Sequence, residues 1–357
     1  MSKKLTWIAG PALLAVLLLI ASIAGLSGAV VLSREDMPQT PPVVESISGS
    51  GSSAQQGAMD AWRADFQRIH PDLEVQYEPS GSDAGIRDFI TGKTSFAGSD
   101  VAMRPDEQVR ADRRCGSRAV HLPMVVGPIA LAHNLQSVPN LRLSPATMSG
   151  IFSGRITRWD APEIAAENHG ASLPHTGIRV FHRSDESGTT HNFTTYLKAA
   201  GRWPYQPSRR WTGTGEGVTG STGVTEAVQD TTDSIGYVEY DFASNAGLRT
   251  AHVRNAAGEF IPLSPQSATS ALESARVVGG HGDLVLQFDY LTRTKGAYPI
   301  VLVTYEITCS RNSDPLVQAF LRYMAGDAGQ SSLALYGYAP LPRDLLAQVR
   351  TQLGVTD

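Results

Sequence analysis

The chain has 357 residues, enough for two halves of ordinary domain size, each with its own core. A hydrophobic content of 41% against 18% charged residues is globular and excludes wholesale disorder. The formal net charge is −4, and −6 (28 basic, 34 acidic) once Lys3 and Lys4 are set aside, which excludes a general nucleic-acid binder and requires any anion site to work through local geometry.

In chain order, Lys3 and Lys4 precede an uncharged run from Leu5 to Leu32, long enough to span a bilayer as a helix. Residues 1–33 are therefore expected to be a transmembrane anchor, or a signal peptide cut near Ser27-Gly28-Ala29, with the rest of the chain outside the cytoplasm. The length of the run favours the anchor, and with it the lipid bilayer as a partner. Residues 34–44 read as an exposed linker. Beyond them, Met59, Trp62, Phe66 and Ile69 fall on one helical face, Leu73, Val75 and Tyr77 alternate as in a strand, and Ile86, Phe89 and Ile90 resume helical spacing. Strands are predicted at Leu122–Ala132, Ile178–Phe181, Ile235–Tyr240 and Tyr298–Thr308. Helical segments are predicted at Ser144–Asn168, Thr189–Ala200 and Val224–Gln229, and from Pro315 onward. This repeated strand-then-helix order predicts an α/β fold with mainly parallel sheets.

Three Gly/Ser-rich segments stand at strand-to-helix junctions: Ser48-Gly49-Ser50-Gly51-Ser52-Ser53-Ala54, Ser80-Gly81-Ser82-Asp83-Ala84-Gly85, and Arg183-Ser184-Asp185-Glu186-Ser187-Gly188-Thr189-Thr190. Each supplies unpaired backbone N–H groups at a helix start, hydroxyl donors, and the positive end of a helix dipole. Together these bind an oxyanion without many cations. Any one segment alone is more often an ordinary N-cap; three, one bearing an arginine, point to an anion site. None ends in Gly-Lys-Ser/Thr, so nucleotide hydrolysis is not indicated, and no dinucleotide fingerprint is present. The two cysteines, Cys115 and Cys309, are read either as a disulfide or as two separate buried thiols. The nine histidines are scattered, no Cys/His grouping has zinc spacing, and neither metal nor cofactor is expected.

Taken in order, the segments Gly49–Ser53, Gly81–Ile86, Ser95–Asp100, Ile151–Asp160, His182–Thr190, Gly236–Tyr240 and Tyr298–Val301 resemble the PstS-type phosphate-binding proteins of bacterial ABC transporters. The resemblance implies a two-lobed periplasmic-binding-protein (Venus-flytrap) fold. One lobe would comprise residues 45–128 plus 298–357 and the other 129–297, with the ligand cleft between them. It implies capture of inorganic phosphate and delivery to the membrane permease of a phosphate importer, with no enzymatic activity. Carried over position by position, it places Ser53, the Ala54 backbone N–H, Ser82, Asp100, Arg183, Asp185, Ser187, Gly188 and Thr189 on phosphate. Arg183 offers a planar charged fork that Asp185 would hold. Asp100, as a carboxylate, can only accept hydrogen bonds, and so favours an anion that still carries a proton over sulfate, which carries none.

Two departures stand out. Glu186 occupies a position usually held by glycine, and would oppose anion binding unless it points away. Ala29 follows Leu26-Ser27-Gly28 where many relatives have a lipid-bearing cysteine, which again points to a helical anchor. Two other functions compete with this reading. A phosphate sensor working without transport has the same site; a serine-dependent hydrolase built on Ser187 lacks both a G-x-S-x-G elbow and a histidine base.

Overall fold

The computed structural model describes residues 45–355 except 274 and 312; the expected N-terminal helix (1–33) and linker (34–44) lie outside the described residues. Among those described, no helix is long and apolar enough to cross a membrane. The chain begins with β1 (Glu45–Gly51), a 3-10 turn at Ser53–Gln55, α1 (Gln56–Ile69), β2 (Leu73–Glu78), α2 (Ser82–Thr91), β3 (Phe96–Ser99), α3 (Pro105–Cys115) and β4 (Ala119–His133). There follow β5 (Arg142–Leu143), α4 (Pro145–Phe152), α5 (Pro162–Ala165), β6 (Arg179–Arg183), α6 (Gly188–Ala200), β7 (Glu216–Val218), α7 (Gly220–Asp230), β8 (Ser234–Glu239) and α8 (Tyr240–Asn245). The remainder is β9 (Arg249–Thr250), β10 (His252–Arg254), β11 (Phe260–Ile261), α9 (Pro265–Leu272), β12 (Arg276–Val277), β13 (Leu286–Gln287), β14 (Val301–Cys309), α10 (Pro315–Ala325), α11 (Asp327–Ser331) and α12 (Arg343–Gln352).

The main sheet runs β2-β1-β3-β14-β4-β8-β6-β7, with β9 also on β4. Its two ends are parallel, β2-β1-β3 and β8-β6-β7, as strand–helix alternation requires. Its middle is not: β14 is antiparallel to β3 and to β4, and β4 is antiparallel to β8. The fold is therefore mixed α/β rather than mainly parallel. The cause is β4, a single 15-residue strand buried along its whole length. Its first ten residues pair with β14 up to Pro128, and from Ile129 it pairs with β8.

Two large cores lie on either side of that change of partner. The first gathers Trp62 and Phe66 of α1, Phe96 of β3, Val125 and Val126 of β4, and Phe320 and Leu321 of α10. The second gathers Ile129 and Leu131 of β4, Phe152 of α4, Phe193 and Tyr196 of α6, Trp159, Trp203 and Tyr237. The segment from α9 to Ala297, expected with the second half, places Ala268, Leu272, Leu284 and Leu286 in the first core. Nothing in its spacing signals that return. A third, smaller cluster holds Ile86 and Phe89 of α2 against Ala111 of α3 and Ile307 of β14. At its rim a disulfide joins Cys115, at the end of α3, to Cys309, at the end of β14, across 194 residues. The expected helical stretch Ser144–Asn168 divides in two: Gly154, with φ +81°, ends the first helix, and Pro162 starts the second.

Candidate functional site

The three Gly/Ser segments converge, and each follows a strand of the main sheet into a helix. At the first, Ser52 turns its hydroxyl onto the Asp100 carboxylate (Oγ to Oδ1, 2.6 Å) and accepts the Ala54 N–H on the same oxygen (3.0 Å). The Ala54 N–H, expected to face the anion, thus already has a partner. The Ser53 hydroxyl lies 3.0 Å from that of Ser221. At the second, Gly81 takes φ +93° and sets Ser82 at the start of α2, where its hydroxyl donates to Asp100 Oδ2 and accepts the Asp100 N–H (both 3.2 Å). Thr304 of β14 donates to Asp100 Oδ1 at 2.7 Å. Asp100 is buried, and burial, helped by the nearby Glu239 charge, pushes its pKa up to about 6 even though the hydrogen bonds from Ser52 and Thr304 favour the ionised form. Three hydroxyls occupy three of the roughly four acceptor positions of a carboxylate and leave one open on Oδ2.

At the third segment, Arg183 ends β6 and is 2% exposed. Its Nε donates to Asp185 Oδ1 at 2.7 Å, its Nη2 pairs with Asp185 Oδ2, and its Nη1 donates to Ser221 Oγ at 3.2 Å. Asp185 also accepts the Gly220 N–H at 3.1 Å. Burial opposes ionisation of Asp185, but the Arg183 guanidinium more than offsets it and holds the carboxyl below its ordinary value. Ser187 caps α6, its Oγ accepting the Thr190 N–H at 3.3 Å. Gly188 packs against the opposite wall so closely that a Cβ there would lie 2.5 Å from Ser82 Oγ and 2.7 Å from Asp100 Oδ2. A glycine is required at that approach. Thr189 donates to Glu239 Oε1 at 2.5 Å. Glu186 turns to Arg210 (Oε1 to Nε, 2.5 Å), and that hydrogen bond lowers its pKa. Its charge is paired with Arg210 and also acts on Asp83.

The site contains groups the sequence reading did not assign. Glu239, fully buried at the end of β8, accepts Thr189 on one oxygen and Ser221 on the other (2.6 Å). Ser221 opens α7, and its segment Gly217-Val218-Thr219-Gly220-Ser221 is a fourth strand-to-helix junction of the same composition. That pattern was available in the sequence. Ser52, Thr304 and Asn192, whose amide donates to the Asp100 carbonyl at 2.7 Å, carry no local signal. Chemically, the assembly offers fixed dipoles, one clamped guanidinium and one half-open carboxylate. No histidine hydrogen-bonds to Ser187 among the described contacts, and no cluster of three or more His, Cys, Asp or Glu able to hold a metal occurs among the described residues.

The profile of the PBP superfamily domain matches residues 37–328. The chain is 42% identical over 317 residues to the phosphate-binding protein PstS 3 of Mycobacterium tuberculosis, covering 86% of this chain and 85% of that one. It is 31% identical to the phosphate-binding protein PstS of Haemophilus influenzae, covering 86% and 92% respectively. Among solved structures it resembles a high-affinity periplasmic phosphate-binding protein bound with phosphate (PfluDING), at 22% identity and TM-score 0.69, covering 86% and 93%. It also resembles the substrate-binding protein of a putative phosphate ABC transporter from Clostridium perfringens, at 18% identity and TM-score 0.63, covering 84% and 100%.

Proposed function

We propose, from the premise that this chain belongs to the PstS family of phosphate-binding proteins, that it captures inorganic phosphate outside the cytoplasm and delivers it to the permease of an ABC-type importer. It is a solute-binding protein and not an enzyme. The observation that carries the reading for this chain is Asp100, a buried carboxylate with one acceptor position left open, set among helix starts and opposite a clamped Arg183.

In the proposed complex the two halves close as lobes of a Venus flytrap. Residues 45–128 and 298–357 form one lobe and most of 129–297 the other. Arg183 gives a charged hydrogen bond to a phosphate oxygen while Asp185 fixes its fork. The N–H groups of Gly188 and Thr189, with Ser187, donate from the start of α6. Ser53 and Ser82 line the anion from the other lobe, each turning its single hydroxyl proton from its present acceptor, Ser221 and Asp100 respectively, to a phosphate oxygen, and Ala54 borders the anion with an N–H shared with Ser52. Asp100 accepts a hydrogen bond from the proton that phosphate retains, and repels sulfate. Residues 1–33 tether the protein to the outer face of the membrane, or are removed if cleavage occurs near Ala29. Uptake of labelled phosphate at micromolar concentration tests delivery: cells deleted for this chain regain uptake with the wild-type gene and not with Arg183→Ala. Full rescue by that variant would remove the site assignment.

A further inference from the structure

Arg209 lies between α6 and β7, flanked by Trp203 and Trp211 of the second core, yet its side chain leaves that half of the protein. Nη1 donates to Glu107 Oε1 (3.0 Å) and Oε2 (3.2 Å) of α3 and pairs with Asp83 of α2; Nη2 donates to Glu107 Oε2 (3.2 Å) and to the Ala102 carbonyl (2.9 Å). The guanidinium side chain is 8% exposed, and the two carboxylate side chains are 6% and 5% exposed. All three partners belong to the half that holds Ser82 and Asp100, and Asp83 directly follows Ser82. The backbone of Arg209 faces the other way: its carbonyl accepts the Ser187 N–H at 2.9 Å, at the start of α6. One residue therefore joins the two walls of the anion site.

We infer that Arg209 is a cross-lobe clasp, a positioning residue that sets how long the closed state, and with it bound phosphate, persists. The inference rests on the phosphate-binding reading above. Closing buries one cation between two anions, and the fork geometry fixes the closed angle. Opening withdraws it. Glu107 is then not abandoned, since Arg104, whose side chain is 56% exposed, holds it through Nη2 (2.5 Å) and through its own N–H (2.7 Å). The other charged and titratable groups at this face are Glu186, which pairs with Arg210 and also acts on Asp83, Arg104 at 3.9 Å from Asp83, Arg87 near Glu186, and the half-buried His191, which burial and, secondarily, Arg209 keep neutral. The clasp thus contributes to the closed state alone, and can be tuned without altering any group proposed to touch the anion.

The test is stopped-flow release of phosphate from the full-length chain in detergent, comparing wild type with Arg209→Gln, Arg209→Lys and Glu107→Gln. Loss of one partner of a buried charged pair appears mainly in dissociation. Arg209→Gln should release phosphate about thirtyfold faster or more. Its association rate and its phosphate-to-sulfate ratio should stay within about threefold of wild type. Arg209→Lys should restore part of the effect. Glu107→Gln, should Arg209→Gln fail to fold, approaches the same contact from the other side and should also speed release. Thermal midpoints without phosphate should match wild type, with a smaller upward shift on adding phosphate; a purely structural role would lower both. A wild-type chain that binds no phosphate would remove the reading beneath the inference. Phosphate released at the wild-type rate by both variants would overturn the clasp alone.

Discussion

Arg183→Ala is the sharpest perturbation of the site. The side chain is almost fully buried, fixed by two hydrogen bonds to Asp185 and one to Ser221, with the Glu239 carboxylate close enough to favour its charge. Truncation removes a desolvated charged donor to the anion, a contact worth about 1.5–3 kcal/mol per hydrogen bond. It also leaves Asp185 and Glu239 facing phosphate without a counter-charge, which brings the total to about 3–5 kcal/mol. That corresponds to a loss in phosphate affinity of roughly two to three and a half orders of magnitude. Arg183→Lys keeps the charge but cannot reproduce the fork held by Asp185, and should fall between the two. Isothermal calorimetry at neutral pH gives all three affinities, with circular dichroism confirming that the fold is retained. An Arg183→Ala protein that is folded and binds phosphate within about threefold of wild type would refute the assignment of Arg183 to the ligand.

Asp100 predicts a pH dependence of selectivity: with its pKa raised to about 6, it is an acceptor above that pH and becomes a donor below it, so sulfate affinity should rise between pH 8 and pH 5. Asp100→Asn should flatten that trend, and calorimetry with sulfate at the two pH values reads both. Glu306, at the centre of β14, is fully buried with neither carboxylate oxygen hydrogen-bonded; the nearby Gln55 amide donates instead to Tyr77, at 3.1 Å. Burial raises its pKa from 4.5 to about 8, so the folded state holds a proton that the unfolded chain releases, and stability falls as pH rises across that window, by up to about 4–5 kcal/mol. Glu306→Gln should therefore be more stable than wild type at pH 8 and nearly equal at pH 4.5 in urea unfolding; equal stability at both would contradict a protonated Glu306. Cleaving Cys115–Cys309, which closes a loop of 194 residues, removes a constraint on the unfolded chain worth about 5 kcal/mol in the chain-entropy model. A reductant should lower the thermal midpoint by several degrees; no shift would mean that the bridge does not constrain the unfolded state.

The parts of this protein that were readable in its sequence are those with short-range causes. Glycine and serine at a helix start mark a candidate anion-binding junction because the unpaired N–H groups and the capping hydroxyl are all local; that rule singles out the segments holding Ser82, Arg183 and Ser187, and the resemblance supplies their proposed roles. The same rule extended to Gly220-Ser221 would have added the fourth junction. Asp100 is assigned by the resemblance to PstS-type proteins and not by a local signal; its partners Ser52 and Thr304 carry none either, since they come from 48 residues before it and 204 after it in the chain. The antiparallel middle of the sheet escaped for a similar reason. β14 is separated from β3 and β4 by more than 160 residues, and its apolar run reads the same in either direction. Arg209 stands in a loop beside a second arginine, between Trp203 and Trp211, with no local sign of an acidic partner, and only the folded chain brings it to Asp83 and Glu107.

The central claim is that a half-open carboxylate among helix-start donors selects an anion that carries a proton. Calorimetric titration of the full-length chain at pH 7.5 with phosphate and, separately, with sulfate measures it directly. Phosphate should bind tightly, with sulfate weaker by about three orders of magnitude or more, because sulfate meets Asp100 with no proton to give. Equal affinity for the two anions would contradict it.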